Sequence, residues 1–245
     1  MLPILYQSPE FILYSYPLLM GLGWGIAYQV YFSLLDPSYS KIKGQILFWG
    51  IFISAWLGAK FLFYLTYPKD LDSSFLGQIS FWTGGGFVFY GGLIAGVLFV
   101  ALYRLWDKNL SLNILWAMLP AVAFGHGVGR IGCFLAGCCF GKPTELFWGV
   151  YLHEAYRHPT QLLEAILLLA LGFFLYYSKR ARYDLITSYI LTYGVLRLLV
   201  EGLRGDGVRG EWGILTPSQW ISLGLIAAAL IMYLFKKFKR LQSPK

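Results

Sequence analysis

The sequence predicts an all-α, polytopic membrane protein of seven transmembrane helices, and three observations carry that expectation. Of its 245 residues, 58% have hydrophobic side chains, 19% are aromatic and only 13% are charged, far from the soluble average and close to a multi-pass membrane protein. Apolar runs near the length of about 20 residues needed to cross a bilayer recur along the chain. Lys and Arg alternate in density from one connection to the next.

The first span is expected at Tyr16–Leu35. The opening stretch MLPILYQSPEF has neither a basic n-region nor a small-residue cleavage site, so it does not read as a removable signal peptide. The second and third spans fall at Gln45–Tyr67 and Phe87–Trp106, and small-xxx-small spacing at Gly21/Gly25 and Gly92/Gly96 suits close helix contacts. The fourth, Leu112–Phe134, holds Pro120 and a run of glycines from Gly125 onward and is expected as a short or broken helix. Thr160–Tyr177, Leu185–Gly202 and Pro217–Phe235 complete the set. Pro159 stops the preceding chain, and Thr160 is placed to cap the helix that follows. With no repeat and no separating linker, residues 1–245 read as one transmembrane domain. Its longest outer connections, 68–86 and 141–159, are the natural places for a small cap or a gate.

Orientation follows from the basic residues. One set of segments carries twelve, Lys41, Lys43, Arg104, Lys108, Lys179, Arg180, Arg182, Lys236, Lys237, Lys239, Arg240 and Lys245; the alternate set carries six, Lys69, Arg130, Lys142, Arg157, Arg204 and Arg209. The richer set belongs in the cytoplasm. In a bacterial cytoplasmic (inner) membrane this puts the N-terminus in the periplasm and the C-terminus inside. The net charge of +8 is dispersed between apolar spans and not gathered on one face, which argues against nucleic acid as a partner. A transporter is also disfavoured, because no paired interrupted helices recur in two halves.

The stretch His126–Gly141, HGVGRIGCFLAGCCFG, sets a permanent charge among glycines and cysteines where plain hydrocarbon is expected. A charge at bilayer depth costs roughly 2.5 kcal/mol or more, so Arg130 needs a partner, either a carboxylate such as Glu164 or Glu201 or a lipid phosphate. Guanidinium forks onto two phosphate oxygens, and Gly129, Gly132 and Gly141 would let a headgroup approach the backbone. A second cluster, YGVLRLLVEGLRGDG, spaces Tyr193, Arg197, Glu201 and Arg204 at steps of four, four and three, on one face of an apolar helix. That spacing predicts a buried polar network in which Glu201 holds its arginine neighbours.

Cys133, Cys138 and Cys139 form C-x4-C-C on the expected oxidising side. A disulfide from Cys133 to one of the pair is one reading, and a nucleophilic or acyl-carrying cysteine another. Zinc would need a fourth ligand such as His126, and the pattern matches no standard site, so neither metal nor cofactor is expected. His158, in RHPTQLLE, is a loop residue ahead of a helix and also a candidate acid or base. Gly91 and Gly92, in FWTGGGFVFYGGLIAG, serve either helix packing or a glycine-rich approach to ligand.

Four segments, WTGGGFVFYGGLIAG, GRIGCFLAGCCFGKPT, RHPTQLLEA and YGVLRLLVEGLRGD, resemble in order and spacing the landmarks of the prolipoprotein diacylglyceryl transferase family, over about Phe81 to Ser222. The resemblance implies seven spans around a lipid-accessible cavity. It also implies transfer of the diacylglyceryl group of phosphatidylglycerol, a membrane lipid, to a cysteine thiol in the lipobox of a prolipoprotein signal peptide, with release of glycerol phosphate. By the same resemblance Arg130 and Arg204 are the phosphate-handling arginines. Tyr90 stands where the family has a histidine before Gly-Gly, and Cys133, Ala136 and Cys138 stand where it has Asn, Asn and Glu. Tyr90, His126 and His158 are expected to line or rim the cavity, with Gln161 and Glu164 beside it. Two alternatives are a paralogue acting on another acceptor and a lipid-binding protein without catalysis.

Overall fold

The computed structural model describes residues 1–8, 12–66, 81, 87–178, 182–205 and 213–242. The expected connection 68–86, except at Phe81, and Asp206 lie outside the described residues. Two short strands, β1 (Ile4–Gln7) and β2 (Ile12–Tyr14), pair antiparallel ahead of α1 (Ser15–Leu34). They are followed by α2 (Lys41–Thr66), α3 (Phe89–Trp106), the single turn α4 (Leu112–Leu115) and α5 (Met118–Ala136). A second hairpin, β3 (Val150–Leu152) and β4 (Ala155–Arg157), precedes α6 (Thr160–Tyr177), α7 (Arg182–Gly202) and α8 (Pro217–Gln242).

The fold class is as the composition predicts: the chain is mostly helical, and each of the seven expected spans falls on a helix of at least 18 residues. Five of them, Lys41–Leu65, Met118–Ala136, Thr160–Tyr177, Leu185–Gly202 and Pro217–Phe238, are long and apolar enough to cross a membrane, and Gly91–Trp106 is a shorter apolar helix. Large apolar side chains stand exposed along the helices, among them Ile94, Ile166, Leu199 and Phe235. Surface of that kind is a liability in water and a match for acyl chains. The protein is a multi-pass membrane protein.

The chain divides into two compact units, Met1–Leu34 with Leu115–Lys245, and Leu35–Ile114. In the first, α1 packs on α5, α5 on α6, and α7 on α8, over a core that includes Trp116, Leu171, Leu175 and Leu185. In the second, α2 packs on α3.

Three expectations need correction, and one element is new. The fourth expected span does break, at Trp116–Ala117 between α4 and α5, but not at the glycines: α5 is continuous from Met118 to Ala136. Pro120 falls in its first turn, where the missing N–H would have had no helical partner in any case, and the glycines are contact points instead of breaks. Gly21 and Gly25 have nothing within 4 Å of a built Cβ among the described residues. The close approach of α1 to α5 is made one face over, where a Cβ on Gly23 would meet the Gly125 carbonyl oxygen at 2.8 Å. Thr160 does not cap α6: it is the first helical residue, the cap position is Pro159, and no side-chain capping bond forms there. Finally, the connection 141–159 contains a β-hairpin that the sequence did not announce.

Candidate lipid-phosphate site

The two clusters singled out in the sequence, His126–Gly141 and Tyr193–Arg204, do meet, through Glu164 of α6, in the first unit. Glu164, in the second turn of α6, is the hub. Its Oε1 lies 3.0 Å from Arg130 Nη2 and its Oε2 3.2 Å from Arg197 Nη1. Arg197 Nη2 reaches Glu201 Oε2 at 2.7 Å, one turn on in α7, and Arg204 Nε lies 3.9 Å from the same oxygen. His126, one turn before Arg130 on α5, brings Nε2 to 3.7 Å from Glu164 Oε1, and its ring lies 5.9 Å from that of Tyr193. All three guanidiniums and His126 act electrostatically on Glu164.

Each side chain is in place for a local reason. Residues three or four apart share a helix face, so the steps 126–130 on α5 and 193–197–201 on α7 line up the charges, whereas Arg204, expected on the same helical face, lies past the helix end at Gly202 and is held by its bridge to Gly141. Glu164, Arg197, Glu201 and Arg204 are all buried, where ionic groups persist only if paired. Two residues outside the sequence expectations complete the network: Arg197 Nη2 donates to Ser218 Oγ at 3.3 Å, and Thr216 Oγ1 donates to Glu201 Oε1 at 3.1 Å. Both come from the T-P-S-Q start of α8, where Thr216 also accepts from the Gln219 N–H as a helix cap does. A capping signal was legible there; its second role was not.

Gly141 positions Arg204. Its N–H donates to the His158 carbonyl at 3.0 Å, it forms an isolated bridge with Arg204, and the Gly205 N–H donates to the Phe140 carbonyl at 3.1 Å. A Cβ on Gly141 would meet the His158 oxygen at 2.5 Å and the Leu203 oxygen at 3.0 Å. The residue is therefore a crossing point between the loop and the end of α7, with no room for a side chain. Lys142 Nζ donates to the Gly202 carbonyl at 3.0 Å, a cation on a helix C-terminus.

Other candidates take structural positions. A Cβ on Gly129 would meet Met20 Sδ at 2.9 Å and one on Gly132 would meet Leu19 Cβ at 3.1 Å. These glycines admit α1. Gln161 is buried and donates through Nε2 to the Cys138 carbonyl at 2.6 Å. His158 accepts at Nδ1 from Trp148 Nε1 at 3.1 Å, and its described contacts do not include the ionic network. Gly91 and Gly92 belong to the second unit, where they pack on α2; a Cβ on Gly92 would meet the Ala55 oxygen at 2.9 Å. The side chain of Tyr90 lies outside the described residues. Cys133, Cys138 and Cys139 are free thiols, so of the open readings the disulfide is not the one formed.

Among the described residues the network holds three guanidiniums, Arg130, Arg197 and Arg204, against two carboxylates, Glu164 and Glu201. Arg130 Nε is buried and has no hydrogen-bond partner among the described residues. Leaving such a donor unmade costs on the order of 1–3 kcal/mol, and more for a charged group. The arrangement can accept an anion with several oxygens.

Comparison with known proteins agrees in length as well as in kind. The family model described as prolipoprotein diacylglyceryl transferase matches residues 3–235. A phosphatidylglycerol–prolipoprotein diacylglyceryl transferase of Clostridium tetani is 36% identical, covering 98% of this chain and all of its own length. Relatives named in the same way from Clostridium perfringens and Finegoldia magna are 32% and 34% identical, covering 93% and 92% of this chain and 92% and 91% of their own. The chain therefore belongs to the prolipoprotein diacylglyceryl transferase family.

Proposed function

We propose that the chain transfers the diacylglyceryl group of phosphatidylglycerol to the lipobox cysteine of a prolipoprotein signal peptide at the periplasmic face of a bacterial cytoplasmic membrane. The N-terminus is then periplasmic and the C-terminus cytoplasmic. The acceptor sulfur attacks the glycerol carbon bonded to phosphate, a C–S bond forms, the C–O bond breaks, and the electron pair leaves on glycerol phosphate. The thiol proton must be removed and the leaving phosphate held.

Arg130 and Arg204 hold the phosphate, with Arg130 Nε available to one of its oxygens. Glu164 and Glu201 fix Arg130 and Arg197 so that charge is in place before the leaving group develops it. His126 takes the thiol proton: its ring contacts the ionic network, whereas His158 is engaged by Trp148. No cofactor or nucleic acid enters this scheme.

The observation that carries the proposal is the convergence of Arg130, Arg197 and Arg204 on Glu164 and Glu201, together with the Arg130 Nε donor, which has no hydrogen-bond partner among the described residues. The test uses vesicles containing the full chain, phosphatidylglycerol labelled in its diacylglyceryl group and a lipobox peptide. The wild type should label the peptide, and Arg130→Ala should insert normally and label nothing. Arg130→Lys, which keeps charge but loses the fork, should retain a trace, on the order of a hundredth of the rate. Full transfer by Arg130→Ala would remove the proposal.

A further inference from the structure

The three cysteines converge on one point. α5 ends at Ala136, and Gly137 reverses the chain at φ +76°; its N–H donates to the Phe134 carbonyl, and that of Cys138 to the Cys133 carbonyl at 3.2 Å. This folds Cys138 back over Cys133. Cys139 follows at φ +65°, a conformation that costs a non-glycine residue about 1 kcal/mol or more. Two buried side chains at the start of α6 hold it there: Thr160 Oγ1 donates to the Cys139 carbonyl at 2.8 Å and Gln161 Nε2 to the Cys138 carbonyl at 2.6 Å. The three Sγ atoms all lie within 4.8 Å of one another, and none is bonded to another.

We propose that Cys133, Cys138 and Cys139 form a three-sulfur binding site for a thiophilic divalent cation of the Zn2+ class. Zinc–thiolate bonds of about 2.3 Å put the sulfurs of one ion roughly 3.8–4.0 Å apart, so side-chain rotations of under about an ångström convert the cluster into a coordination shell. Charge points the same way. Three thiolates alone would crowd a charge of −3 into one small volume, and a divalent cation brings it to −1. That residual charge sits beside Arg130 and Arg204, both of which act electrostatically on Cys139. The balance is one cation taken up and three thiol protons released to solvent. Cys133 is buried, Cys139 half-buried and Cys138 exposed, so the ion enters past Cys138 and a fourth ligand position faces that side.

Linear spacing hides this site, because C-x4-C-C lacks the paired turns of standard zinc motifs. The positive φ at Gly137 and Cys139 supplies the convergence. No residue of the ionic network is a ligand, so metal uptake can be measured apart from the proposed transfer reaction.

The experiment titrates the reduced full chain in detergent with Cd2+, following thiolate-to-metal charge-transfer absorbance and released protons, and then measures Zn2+ content after equilibration against a competing chelator. One ion per chain, three protons per ion and a sulfur charge-transfer band are expected. Cys138→Ser, at the exposed position and so least apt to disturb folding, should weaken binding on the order of a hundredfold or more, with unchanged helix content by circular dichroism. Cys133→Ser and Cys139→Ser should do the same. No stoichiometric uptake by the reduced folded chain overturns the proposal, as does equal affinity in Cys138→Ser and wild type.

Discussion

Glu164 shows what a single side chain does here. It holds Arg130 and Arg197 at 3.0 and 3.2 Å in a site too buried for water to replace it. Glu164→Gln keeps the shape and removes the charge, leaving two guanidiniums facing each other. Breaking a buried pair in this way costs about 3–5 kcal/mol, so the denaturant midpoint of the purified chain should fall sharply; a loss below about 1 kcal/mol would mean that the pairs are screened. Asp107, at the C-terminal end of α3 in the second unit, gives a pH prediction of opposite character. Burial alone would raise its pKa, but hydrogen bonds from Lys43 Nζ, Tyr39 Oη and the Asn109 N–H outweigh that and hold the carboxyl below its ordinary range. A depressed folded-state pKa stabilises above the unfolded value, near 3.9, and that stability is lost as pH falls through the folded value. Asp107→Asn should therefore be less stable than wild type at pH 7, with the gap closing below about pH 4. A gap that does not change with pH would refute this assignment.

At the scale of elements, the helix contacts turn on which glycine faces its neighbour. A Cβ on Gly58 would fall on the Gly91 carbonyl oxygen, and one on Gly91 would fall on that of Gly58, so α2 and α3 touch backbone to backbone. Gly91→Ala must push them apart and should lower the thermal midpoint and the yield of inserted protein. Gly21→Ala, with open space at its Cβ, should change stability by no more than about 0.5 kcal/mol. The opposite ranking would show that the faces are assigned wrongly. The sequence could supply the four-residue spacing but not the rotation of the helix, which is why Gly21/Gly25 read as well as Gly23/Ala27. The hairpin β3–β4 escaped for a related reason. Its two turn residues, His153 at φ +49° and Glu154 at φ +63°, adopt the geometry that Asn-Gly normally signals, so no turn signal was present. By contrast the ionic network was legible, because permanent charges in apolar helices demand partners and helical spacing names the face. Ser218 and Thr216 could not be foreseen as its members, since an exposed cap and a buried second ligand have the same letters.

For the whole molecule, the proposed orientation follows from twelve basic residues on one set of connections against six on the other. It matters because it puts the outer ends of α5 and α7, with Arg130 and Arg204, where an exported precursor emerges. A phosphatase that folds only in the periplasm should be active when inserted in the 141–159 connection and inactive when inserted after Lys108 or after Ser178, and a fluorescent protein that matures only in the cytoplasm should give the reverse. The bias should also be causal: replacing Lys41, Lys43, Arg104 and Lys108 by Gln while adding two Lys to 141–159 leaves eight basic residues on each set of connections and removes the asymmetry. That chain should insert in mixed orientation and lose transfer in proportion to the inverted fraction, although no residue of the ionic network has changed. If the inverted chains transferred as well as the rest, the reaction would not depend on which leaflet receives the thiol, and the periplasmic placement of the site would fall.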